Sequence, residues 1–129
     1  MFICVDFDGT VVDHAFPAVG APVPGALEWL RKFQAKGARI ILWTMRSKHS
    51  GRYGDTLAPA VEYLENNGVP LFGVNRNPAQ DGWTSSPKAH GHMYIDDLAI
   101  GCPLLPPFRP GGEPVVDWEK VGPLVMEQL

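Results

Sequence analysis

Four short apolar runs alternate with segments of helical period, and each run ends in a residue with a polar group to offer. No other feature of the chain constrains the fold as much. FICVD at 2–6, ARIILW at 38–43, VPLFGV at 69–74 and HMYID at 92–96 read as strands, the first two fully buried. PGALEWLRKFQAK at 24–36 reads as a helix with Leu27, Leu30 and Phe33 on one face, Pro24 in its first turn and Gly37 at its stop. A second helix over 56–67 is capped by Asp55, carries Leu57, Val61 and Leu64 as its stripe, and closes at Gly68. Residues 75–91 read as a long polar loop and 101–110 as at most a short edge strand. Residues 114–128 read as a last helix interrupted near Gly122 and Pro123. The alternation predicts one Rossmann-like α/β domain over 1–129, with a central parallel sheet and helices on both faces. In such sheets ligands bind beyond the carboxyl ends of the strands. The residues standing there are Asp6 and Asp8, Thr44 and Arg46, Asn75, and Asp96 and Asp97.

If the first and fourth strands are neighbours, four carboxylates (Asp6, Asp8, Asp96, Asp97) converge. Like charges that close raise one another's pKa unless a cation sits among them. A donor set of oxygens without His or Cys points to a hard ion, and Mg²⁺ fits best because it keeps several waters and takes few protein ligands. Lys88 stands just before the fourth strand as a second, fixed positive charge. Thr44 offers a hydroxyl to an anion, and Gly9 permits close backbone approach so that amides can point at it. Together these make a phosphate site, in which one carboxylate is free to act as nucleophile and another as acid and base.

VDFDGT at 5–10, ILWTMR at 41–46, Lys88 and YIDD at 94–97 resemble, in that order, the four motifs of the haloacid dehalogenase superfamily of phosphotransferases. The resemblance implies that Asp6 becomes a phospho-aspartate. Asp8 protonates the leaving group and then activates water, while its backbone carbonyl joins Asp6 on Mg²⁺. Thr44 and Lys88 hold the phosphoryl oxygens, with Lys48 the runner-up to Lys88. Asp96 and Asp97 complete the metal site, directly or through water. Asp8, in the place where the pumping ATPases of the superfamily carry Thr, favours fast dephosphorylation, hence a phosphatase. Residues 11–23 and the 43 residues between Thr44 and Lys88 leave no room for a cap domain. The implied site is open, or closed by a neighbour in a homo-oligomer.

Around that core, Met45 and Arg46 are candidate phosphate and substrate ligands, the latter because a guanidinium fork suits phosphate or carboxylate. Asn75 is a third candidate, and the resemblance implies that His14 and Phe16 lie in a flap over the site, where they are candidates to touch the leaving group. Trp43 reads as sheet core, and Cys4 and Cys102 as inert packing. The expected partner is a small phosphorylated substrate. Eleven basic against 14 acidic residues, net −3, argue against a nucleic-acid partner such as a polynucleotide end. A phosphoprotein substrate and a non-catalytic role in binding phosphorylated ligands remain the alternatives. No apolar run approaches the ~18 residues of a membrane span. The acidic N-terminus and the two lone cysteines fit a reduced, cytoplasmic protein without a leader.

Overall fold

A computed structural model describes all 129 residues. In chain order the elements are β1 (Phe2–Val5), α1 (Ala26–Ala35), β2 (Arg39–Leu42), α2 (Leu57–Asn66), β3 (Gly73–Val74), β4 (Met93–Ile95), β5 (Leu104–Leu105), β6 (Val115–Val116) and α3 (Trp118–Met126). The first four strands form one parallel sheet in the order β3-β2-β1-β4. The acids that end β1 and β4 are therefore neighbours, as the sequence reading requires. The fold is the expected α/β class with a central parallel sheet, and no helix is long and apolar enough to cross a membrane.

Side chains alternate across a strand, so each strand serves two faces. Ile3 and Val5 of β1 and Ile40 and Leu42 of β2 join α1, α2 and α3 in a core of 22 buried residues. Cys4 and Ile41 point the other way, into a cluster of only three with Ala89. All three helices thus lie on one face, and the expectation of helices on both is corrected. The strand order explains it: β1→β2→β3 proceeds in one direction, so right-handed crossovers place α1 and α2 on the same side. The return from β3 to β4 crosses the opposite face as segment 75–92, whose one helical turn is Pro78–Gln80. Buried Gln80 holds that layer together. Its amide donates to the carbonyls of Ser86 and Lys88, and its oxygen accepts from the His90 amide.

The capping expectation holds at α2, where Asp55 Oδ1 accepts from the Leu57 and Ala58 amides. The C-terminal region departs from the reading. β5 and β6 pair as an antiparallel ladder, and α3 runs unbroken through Gly122 and Pro123. Gly122 is a contact point, not a break. A Cβ there would stand 2.2 Å from the Trp29 ring, so only glycine lets α1 and α3 approach this closely.

Candidate active site and metal centre

Carrying the sheet register one residue past the strands sets Asn75, Trp43, Asp6 and Asp96 in a row. The backbone bonds Asn75 N–H to Leu42 O, Trp43 N–H to Val5 O and Asp6 N–H to Ile95 O extend the ladder to that row. These four residues, with Thr44 and Met45, line a crevice of about 360 Å³. Trp43 is therefore a wall of the crevice as well as sheet packing, which corrects its reading as core. Thr44 Oγ1 accepts from the Arg46 amide at 3.1 Å, leaving its own proton for the crevice. Asn75 sits at φ 54, a left-handed conformation that Asn tolerates, and braces the loop: its Oδ1 accepts from the Thr44 amide and its Nδ2 donates to Arg46 O. Met45 is almost wholly exposed, and neither its amide nor that of Asp8 donates to a protein acceptor.

Carboxylate atoms of Asp6, Asp96 and Asp97 lie within 4.8 Å of one another. Buried Thr10, in the turn after β1, ties the two acidic stretches together. Its hydroxyl donates to Asp6 Oδ2 at 3.1 Å and accepts from the Asp97 amide at 3.2 Å. Asp96 lines the crevice with one oxygen accepting from the Leu98 amide, whereas Asp97 is buried behind it. No Lys or Arg pairs with any of the three. Burial pushes the Asp6 carboxyl up to about 8, helped by its hydrogen bond to Asp97 and the charge of Asp96. Burial likewise raises Asp97. Three carboxylates in one small volume, none of them paired with a lysine or arginine, could together hold a hard divalent cation.

Five expectations change. The Asp8 carboxylate stands outside the cluster, held by Arg46 in a two-pronged ion pair at 2.8 Å and 2.8 Å. Only its backbone carbonyl, which accepts no hydrogen bond, remains to face a metal. Arg46 is buried and spends its donors inside the protein, so it is not a substrate ligand. Gly9 gives its amide to Val12 O and so offers none to an anion; it is required because a Cβ, already strained at φ +82, would stand 2.4 Å from both Asp97 Oδ2 and His14 Cε1. His14 lies on that inner side, Nε2–H donating to Pro114 O at 2.9 Å and 3.6 Å from Asp97, away from the crevice lining. Lys88 is exposed, with Nζ over the Tyr94 ring at 5.3 Å and no ion pair to Asp6. Its backbone is bound to Gln80 and Ser86, which leaves only its side chain free to move. Thr10, Arg46 in its inner role, and Gln80 were not singled out by the sequence; the one hint for Thr10 was its place directly after Gly9.

No family model and no curated protein matches the chain. Among solved structures, a conserved protein from Bacteroides thetaiotaomicron is 30% identical, covering all of this chain and 92% of that one, with a TM-score of 0.76. The two chains belong to one family.

The raised carboxyls set a pH dependence. A group whose pKa is higher folded than unfolded adds stability below its unfolded value, and that contribution is lost as pH rises through the folded value. Metal-free protein therefore loses the Asp6 contribution between about pH 4 and about pH 8. Metal binding needs the ionised forms and releases their protons. If these acids hold Mg²⁺, the ion at about 100 times its Kd would add about 2.7 kcal/mol, a rise of several degrees in Tm. Melting scans with Mg²⁺ or EDTA should show that rise at pH 8 and a smaller one at pH 5; equal rises at both, or none, would remove the metal from this site.

Proposed function

We propose that the chain is a Mg²⁺-dependent phosphomonoester hydrolase working through a phosphorylated Asp6. The observation that carries this reading is the crevice at the end of β1. Asp6 and Asp96 line it beside the Thr44 hydroxyl and the unpaired Met45 amide, with the Asp97 carboxylate behind. Asp6, Asp96 and the Asp8 carbonyl would hold Mg²⁺, with Asp97 behind them, and the ion supplies the charge that lets an anionic nucleophile meet an anionic ester.

An Asp6 oxygen forms a bond to phosphorus as the ester P–O bond breaks. The electron pair leaves on the alkoxide, which takes a proton from Asp8, the carboxylic-acid form being the one that enters this step. Thr44 and the Met45 and Asp8 amides donate to the phosphoryl oxygens, where negative charge is greatest. Water then gives its proton to Asp8 and its oxygen to phosphorus, the bond to Asp6 breaks, and phosphate departs. For Lys88 to share this work its ammonium has to leave the Tyr94 ring, which lies on the same sheet face as Asp96 by strand alternation.

Phosphate release from 4-nitrophenyl phosphate tests the reading. Turnover is expected with Mg²⁺, and EDTA should abolish it reversibly. Turnover unaffected by EDTA would remove the metal from the mechanism. The position of Lys88 favours one second reading, a binding protein for phosphorylated ligands. Phosphate binding with no turnover across a broad panel of esters would establish that reading instead.

A further inference from the structure

We infer that Arg46 is a positioning residue that aims Asp8 at the leaving group and ties the segment at 17–18 to the turn that carries it; this rests on the reading of Asp8 as acid and base. A guanidinium has five N–H donors, and every one is spent. Nε and one NH2 hydrogen grip the two oxygens of Asp8, while the remaining three donate to the carbonyls of Pro17, Ala18 and Thr56. Its Cζ lies 5.0 Å from the Phe7 ring centroid and 5.2 Å from that of Phe16, so aromatic rings from the catalytic turn and the flap also contact it. The side chain is 1% exposed, whereas that of Asp8 is 21% exposed. Of the pair, only Asp8 keeps exposed surface.

One residue thus joins the turn after β1, the flap at 17–18 and the entrance to α2. A lysine keeps the charge but has neither the fork nor enough donors to replace it. Without the fork, the Asp8 carboxylate can turn about both of its side-chain bonds. A general acid contributes roughly 10²–10⁴-fold, and displacement by an ångström costs about 10²-fold. That loss falls on esters whose leaving group needs a proton. It largely spares those, such as 4-nitrophenolate, that depart as stable anions.

The experiment compares wild type, Arg46→Lys, Asp8→Asn and the double variant on glycerol 2-phosphate and 4-nitrophenyl phosphate, with Tm recorded for each. Arg46→Lys should lose about 100-fold in kcat on the alkyl ester and under about 10-fold on the aryl ester, with KM little changed. In the Asp8→Asn background the same substitution should add little, because the two act as one unit. Should Arg46→Lys fold poorly, Arg46→Ala with millimolar guanidinium ion replaces it, and selective recovery of alkyl-ester turnover is the supporting result. Equal losses on both esters, a loss expressed in KM, or additivity with Asp8→Asn would overturn the assignment while leaving the phosphatase reading intact. Failure of wild type on both esters overturns that reading, and the assignment with it.

Discussion

Asp6→Asn is expected to reduce phosphate release by roughly 10⁴-fold or more, the scale on which removal of a nucleophile acts. The same variant should be at least as stable as wild type at pH 8 without metal. The two expectations have one cause. Asp6 is surrounded by Asp96 and Asp97, and its carboxyl is pushed up to about 8 because ionisation there is opposed by burial and by like charge. Asn keeps the size and the hydrogen bond from Thr10, and it removes the charge. Chemistry is lost and repulsion is relieved, a pairing of outcomes that a purely structural aspartate does not give. The variant should also lack the gain in Tm expected of wild type with Mg²⁺. Phosphate release and melting scans at pH 5 and pH 8, with Mg²⁺ or EDTA, check all three. Turnover within tenfold of wild type would remove Asp6 as nucleophile, and a Tm lowered by several degrees would show that the acids are not in conflict.

The largest effect on stability is expected at Trp118→Ala. Trp118 is fully buried at the start of α3 and packs on Phe33 of α1 with ring centroids 6.4 Å apart. Its indole N–H donates to Thr10 O at 2.7 Å. Truncating a buried aromatic costs about 3–5 kcal/mol through lost burial and the cavity left behind. A domain of this length has a total of about 5–15 kcal/mol. A fall in Tm of more than about 10 °C follows. The loss reaches the site, because the hydroxyl of the same Thr10 bridges Asp6 and Asp97. Trp118→Phe keeps most of the packing and leaves a buried carbonyl without its donor, about 1–3 kcal/mol. Urea denaturation of both variants measures this. A cost below about 1.5 kcal/mol for the alanine variant would mean that α3 is not what supports the turn after β1.

The legible and illegible parts of the site differ in a physical way. Asp6 and Asp96 could be read because each ends an apolar run, and a parallel sheet places such ends side by side whatever the loops do. The Asp55 cap could be read because its partners lie two and three residues away. Arg46 could not. Two residues past a strand it looks like a ligand for an incoming anion, and only its partners 10, 28, 29 and 38 positions away show that it faces inward. Gly122 beside Pro123 reads as a helix break, and only the Trp29 ring against it shows why glycine is there. Lys88 stands at the expected distance along the chain from Asp96. Its ammonium direction is a matter of side-chain rotation, which sequence spacing does not set.

The order of apolar runs and helical stripes by itself determined that this chain forms a parallel α/β sheet with acids gathered at one end, because hydrophobic period and strand-end position are local properties of the backbone. Only the tertiary structure decided that the helices share one face, that three carboxylates converge while the fourth is drawn aside by Arg46, and that Trp43 walls the crevice. Those outcomes depend on which distant donor reaches which acceptor first in a closely packed interior, where a buried charge or amide takes the nearest partner that can satisfy it.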